Sequence, residues 1–165
     1  MNPPDYKRVL QRVEQILGEN YVISPPVKIE DIAANYGLTI VEADFERNDV
    51  AGLIDPAEKK IYVNKNDSDT RQAFTIAHEL GHWLLHQDQL SKDPTKYAVL
   101  YRKPLGQPSE DHIETEANFF AANLLVPRNL LEKYKGENPN TIAKIFGVSP
   151  EVVGYRMRNE YGKRS

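Results

Sequence analysis

The chain of 165 residues contains no cysteine. That excludes a disulfide framework and every zinc site built on thiolates, so a metal here would have to be held by His, Asp or Glu. Long apolar runs are missing as well. Nothing near Met1 is long enough for a signal peptide or a membrane span, which makes the cytoplasm the expected address and membranes an unexpected partner. Internal repeats and low-complexity tracts are absent too. Charge of either sign is not in large excess, the net being −3, but it is unevenly spread. Residues 128–165 hold eight Lys/Arg against four Asp/Glu, while the remainder holds 13 against 20, so a basic end follows an acidic body. A chain of this length can bury a real core, and one compact unit with a small appendage is the expected partition.

What the chain does have is His78-Glu79-x-x-His82 inside Thr75 to His86, a stretch that reads as a buried helix. At about 100° per residue, histidines four apart lie roughly 40° from each other around the axis and about 6 Å along it, so both imidazoles can close on one ion. Two neutral nitrogens and a carboxylate suit zinc. Glu79, next to the first histidine, faces a water on such a metal rather than the metal itself, the position a general base needs. The pattern arises by accident in roughly 1 of 200 chains of this length, so its surroundings decide its weight. Asp69 with Gln72 three residues on forms a capping box that starts the helix. Phe74, Ala77, Leu80 and Leu84 make one apolar stripe, with Ile76, Trp83 and Leu85 elsewhere around the axis. A helix apolar on most sides is buried, and polar groups buried with it need something to bind.

Catalytic zinc takes three protein ligands and keeps one position open. His86 lies about 12 Å of helix rise from His78, so it reads as a supporting or helix-end histidine rather than a ligand. The second apolar helix, residues 111–127, offers Glu114 with Asn118 one turn later on the same face. That is a ligating carboxylate beside a polar group able to bond the free N–H of a metal-bound histidine. Glu116 points roughly 200° from Glu114 and reads as solvated or paired, yet stays the main rival ligand. Glu114 as a capping partner for Asp111 is the structural alternative.

His78-Glu79-Leu80-Gly81-His82 followed by Glu114-x-Glu116-Ala117-Asn118-x-Phe120-Ala121-Ala122-x-Leu124-Leu125-x-Pro127 resembles the ImmA/IrrE family of zinc metallopeptidases, which cleave repressors of the helix-turn-helix class. The resemblance covers nearly the whole chain and implies His78, His82 and Glu114 as zinc ligands and Glu79 as the catalytic glutamate. A methionine usual before the last proline is Val126 here, a conservative departure. The implied fold is α+β: a zincin-like core over residues 1–127 with a small sheet and active-site helices, and a helix-turn-helix-like subdomain over 128–165. The implied function is hydrolysis of a peptide bond in a helix-turn-helix repressor, relieving repression.

The remaining segments fit that plan. Tyr6, Val9, Leu10, Val13, Ile16 and Leu17 recur at helical spacing before Gly18, and residues 29–36 form a short helix ended by Gly37. Leu38–Val41 reads as a strand, and residues 51–55 and 60–64 as two more around a Pro56-Ala57 turn. Residues 61–64 or 51–54 are candidates for an edge on which a peptide substrate lies extended, with an ordinary edge strand that holds no ligand as the equal alternative. The connection between His86 and Asp111, with Pro94, Pro104, Gly106 and Pro108, reads as a long irregular loop. Tyr97, Tyr101, His112 and Tyr155 are candidates to stabilise an oxyanion, with packing as the ordinary alternative for each. Residues 140–158 outline helix, turn at Gly147, and a second helix capped by Ser149, made basic by Lys144, Arg156, Arg158, Lys163 and Arg164. Packing or partner docking is the favoured use of this hairpin, with direct DNA contact as the rival. The competing function is a non-catalytic metal-binding regulator, or a toxin–antitoxin component, acting through that hairpin on DNA or a partner.

Overall fold

The structure is a computed structural model describing residues 2–106 and 111–162. Helix α1, Tyr6–Glu19, starts where Asp5 accepts the Arg8 N–H, and buries Val9, Val13 and Ile16 along one stripe. It runs one residue past Gly18 to an Asn20 cap. Helix α2, Ile29–Asn35, gives way at Gly37, whose φ of 85° only glycine adopts without strain. Strand β1 follows at Thr39–Ala43, starting one residue later and ending two residues later than the apolar pattern suggests. Strands β2, Val50–Asp55, and β3, Lys60–Asn64, form the expected hairpin, its turn held by Asp55 accepting the Glu58 N–H.

Helix α3, Asp69–Leu85, carries the His-Glu-x-x-His motif. Its cap is Ser68, which accepts the Arg71 N–H, not Asp69. Gln72 is thereby freed from a capping box and donates to the Asn64 carbonyl at 2.8 Å and to Glu42 at 3.1 Å, tying the helix to the sheet. The connection beyond His86 is more regular than its composition suggests. It holds α4, Gln87–Lys92, α5, Pro94–Tyr97, and a three-residue strand β4, Val99–Tyr101; Pro108 lies outside the described residues. Helices α6, His112–Leu125, α7, Arg128–Leu131, a 3-10 turn at Glu132–Tyr134, α8, Pro139–Phe146, and α9, Pro150–Tyr161, complete the chain.

The sheet order is β1-β3-β2-β4, with β1 parallel to β3 and the other pairs antiparallel. This corrects the candidate edge at residues 51–54 or 61–64. Those strands are interior, because β1 pairs along β3 and β4 adds onto β2 through Ile54 N–H to Ala98 C=O and Arg102 N–H to Asp49 C=O. The edges are β1 and β4. Behind the sheet, α3 crosses α6 closely: a Cβ on Gly81 would lie 2.8 Å from the Phe120 ring, and one on Gly52 2.5 Å from Thr75 Cγ2.

Gly147, at φ 67°, closes α8, and Ser149 caps α9 by accepting the Val152 N–H. Ile142, Phe146, Val148, Val152 and Val153 belong to the same core cluster as α1 and α3. One of the residues that make the hairpin basic is not at its surface. Arg156 is fully buried and donates Nε–H to the Val126 carbonyl at 2.9 Å, capping the end of α6. Lys163 and Arg164 lie outside the described residues. No helix among the described residues is long and apolar enough to cross a membrane.

Candidate metal centre

The crossing of α3 and α6 at Gly81 and Phe120 brings polar side chains of the two helices together. His78 and His82 project from α3 and Glu114 from α6. His82 Nε2 lies 2.8 Å and His78 Nε2 3.2 Å from the same oxygen, Glu114 Oε1. The rings stand nearly perpendicular, with centroids 4.8 Å apart. Each imidazole's other nitrogen is engaged. Asn118 Oδ1 sits 2.9 Å from His78 Nδ1, and His86 Nδ1 sits 2.9 Å from His82 Nδ1. Asp111 accepts the Ile113 N–H as helix cap, while Glu114 turns its Oε1 to the two histidines.

Glu79 completes the group. Its ligand atom and those of the two histidines lie within 4.8 Å of one another, and it is fully buried. Neither carboxylate oxygen has a hydrogen-bond partner among the described residues. Burial, and after it the charge of Glu114, pushes the Glu79 carboxyl well above its ordinary value. Burial also carries His82 down to about 4, against the pull of Glu114 and with the help of His78 and His86. Glu114 itself would be raised by burial, but the two histidines facing it hold it well below the usual carboxylate range.

These residues fit a divalent metal. Asn118 Oδ1 accepts a hydrogen from His78 Nδ1, so the neutral ring has its lone pair on Nε2 and no proton there to offer Glu114. A cation shared by both Nε2 atoms and the anionic oxygen satisfies all three without one. A buried carboxylate without partners beside them is otherwise costly.

Glu116 does not join this group. Its Oε1 lies 2.8 Å from His86 Nε2 and its Oε2 accepts the Asp5 N–H at 2.8 Å, so of the readings from sequence it is paired, not solvated. His86 reaches neither Glu114 nor His78 and stands behind His82. The chain from His82 through His86 and Glu116 to Asp5 was only half legible: the i, i+4 spacing of the histidines suggests support, while Glu116 and Asp5 are brought in by tertiary packing. Of the oxyanion candidates, Tyr101 and Tyr155 line a cleft of about 660 Å³ together with His78 and Glu114. The Tyr155 hydroxyl is pushed up to about 12, chiefly by burial. Tyr97 packs its ring 6.1 Å from that of His82, and neither it nor His112 lines the cleft.

Residues 33–158 match the family model Peptidase_M78, described as the IrrE N-terminal-like domain. The chain belongs to the ImmA/IrrE family. It is 30% identical over 107 residues to the metallopeptidase ImmA of Bacillus subtilis, covering 62% of this chain and 59% of that one. The radiation response metalloprotease IrrE of Deinococcus radiodurans is 36% identical over 116 residues, 66% of this chain and 34% of that one. An uncharacterized immunity region protein of Bacillus phage phi105 is 32% identical over 104 residues, 60% of this chain and 59% of that one. The alignments thus span from about a third to under two thirds of these relatives' lengths. In fold, the structure is similar to a Mycobacterium tuberculosis transcriptional regulator, with a TM-score of 0.67 at 19% identity, over 92% of this chain and 55% of that one. The span matched to the ImmA/IrrE family takes in α3 and α6 with all the residues of the metal centre, and begins after α1.

Proposed function

We propose that the chain is a zinc-dependent endopeptidase that hydrolyses a peptide bond in a helix-turn-helix repressor and so relieves repression. Its peptidase unit would be a zincin-like core over residues 1–127, with 128–165 a helix-turn-helix-like subdomain packed against it. The observation carrying this reading is the convergence of His78 Nε2 and His82 Nε2 on Glu114, with the partnerless, buried carboxylate of Glu79 beside them. Relatives named as metallopeptidases support the chemistry, and the family resemblance supports the repressor substrate.

Zinc held by His78, His82 and Glu114 would polarise the scissile carbonyl and make water acidic enough to lose a proton near neutral pH. Glu79 takes that proton as the oxygen bonds to the carbonyl carbon. The same carboxyl then returns it to the amide nitrogen as the C–N bond breaks, so one water is consumed and no proton is left over. A carboxyl whose proton affinity is raised by burial suits both halves of this exchange. Tyr101 or Tyr155, in the cleft wall, supplies an O–H to the developing oxyanion.

The substrate edge is β4. Ala98 and Arg102 bond inward to β2, so strand alternation turns the backbone groups of Val99 and Tyr101 outward, beside the cleft, where an extended peptide can pair with them. The rival reading, a non-catalytic regulator using the basic hairpin on DNA, is weakened by the burial of Arg156. Strongly salt-sensitive duplex binding without cleavage would favour it. Incubation with zinc and the nearest encoded repressor, read by mass spectrometry, is expected to give two fragments whose masses sum to the repressor plus one water. An intact repressor would contradict the proposal.

A further inference from the structure

His82 is held from behind by more than one neighbour. His82 Nδ1 faces His86 Nδ1 at 2.9 Å, and His86 Nε2 faces Glu116 Oε1 at 2.8 Å. All three side chains are buried, with at most 4% of any of them exposed. The far end of this line is anchored in the start of α1. The Asp5 N–H donates to Glu116 Oε2 at 2.8 Å, and the Arg8 guanidinium, itself donating to the Leu85 carbonyl, stands 3.8 Å from Oε1.

The direction of each hydrogen bond follows from Glu116. With the Asp5 N–H donating to Oε2 and the Arg8 guanidinium 3.8 Å from Oε1, Glu116 is placed among donors and faces His86 as an acceptor. His86 Nε2 must therefore carry the hydrogen. In a neutral ring, that leaves His86 Nδ1 as a bare lone pair, which can face His82 Nδ1 only if that nitrogen is the donor. His82 then has its lone pair on Nε2, the atom aimed at Glu114. In the opposite tautomer, His82 Nε2 would carry a hydrogen and could not bind a cation.

We propose that His86 and Glu116 are positioning residues. Anchored by Asp5 and Arg8, they form a buried relay that fixes His82 in its Nδ1–H tautomer and so presents Nε2 to the metal. This rests on the reading of His78, His82 and Glu114 as metal ligands, and it extends the metal centre to α1, outside the span matched to the family.

Two measurements test it. In 15N spectra of the zinc-loaded, unaltered protein, His82 should carry its hydrogen on Nδ1 and His86 on Nε2. Zinc affinity, from competition with a chromophoric chelator, should fall about 10–100-fold in His86→Leu and in Glu116→Met. His86→Asn, whose Oδ1 occupies the place of Nδ1 and accepts from His82, should recover most of that loss. A role in packing alone would lower the thermal stability of the metal-free protein while leaving zinc affinity unchanged. Unchanged affinity in His86→Leu, no recovery in His86→Asn, or a hydrogen on His86 Nδ1 would each overturn the relay. The spectra decide the matter even if a variant fails to fold. No zinc uptake by the unaltered protein would overturn the metal-centre reading together with the relay, whereas uptake with unaffected variants overturns the relay alone.

Discussion

Asn118 and Glu79 show how differently two residues of one site can matter. Asn118 touches His78 at 2.9 Å through the nitrogen that faces away from Glu114. Replacing it with leucine removes that acceptor and frees the ring to turn or to exchange tautomers. Zinc affinity of Asn118→Leu, from chelator competition, is expected to fall about 10–100-fold; an unchanged constant would remove Asn118 from this role. Glu79 has no hydrogen-bond partner among the described residues, so Glu79→Gln leaves the ligand geometry intact while losing the only carboxylate placed to move the proton. Its zinc content should match the unaltered protein, and its cleavage rate should fall by about 10²–10⁴-fold, read from repressor digestion on a gel. A variant that cleaves normally would refute Glu79 as the base. Helical spacing puts His78 with His82, and Glu114 with Asn118, on one face each, but spacing left Glu116 as a rival to Glu114, and that the two faces meet depends on how α3 and α6 cross.

Between elements, the controlling contact is the crossing of α3 and α6, where Gly81 lies against the fully buried Phe120. Alanine at position 81 gains about 1 kcal/mol of helix propensity. Against this, its Cβ would sit 2.8 Å from Phe120 Cδ1 and 3.1 Å from Cγ, a ring base that cannot swing away, and overpacking costs about 1–3 kcal/mol. The cost should exceed the gain. Gly81→Ala is expected to melt lower than the unaltered protein, with Phe120→Leu partly restoring the double variant. A higher melting temperature in Gly81→Ala would show that the helices have room to separate. At this scale the sequence was legible only where order is local. The β2–β3 hairpin and α3 follow from turn residues and periodicity, whereas β4 has three residues and exists because Ile54 and Asp49 bond to its flanks from about 50 positions away. Likewise, with Ser68 as the cap in place of Asp69, Gln72 donates to the Asn64 carbonyl, a tertiary bond that no capping pattern records.

Across the whole molecule, α9 links the C-terminal helices to the site. Tyr155 faces the cleft while Arg156, the next residue, is buried against the end of α6. From sequence, Arg156 was one more basic residue on a hairpin; its burial depends on the Val126 carbonyl, 30 positions earlier, needing a donor. Arg156→Leu leaves that carbonyl without its bond and should cost about 1–3 kcal/mol in urea unfolding. A loss of that size would mark α9 as part of the peptidase body, and no loss would mark it as a dispensable appendage. The account as a whole depends on one ion bound at one place. Its most direct test is an anomalous difference map at the zinc edge from crystals of the zinc-loaded protein. The expected peak lies about 2.0–2.2 Å from His78 Nε2, His82 Nε2 and a Glu114 oxygen. A peak bonded to other side chains, or one with Glu114 turned away from both imidazoles, would contradict it.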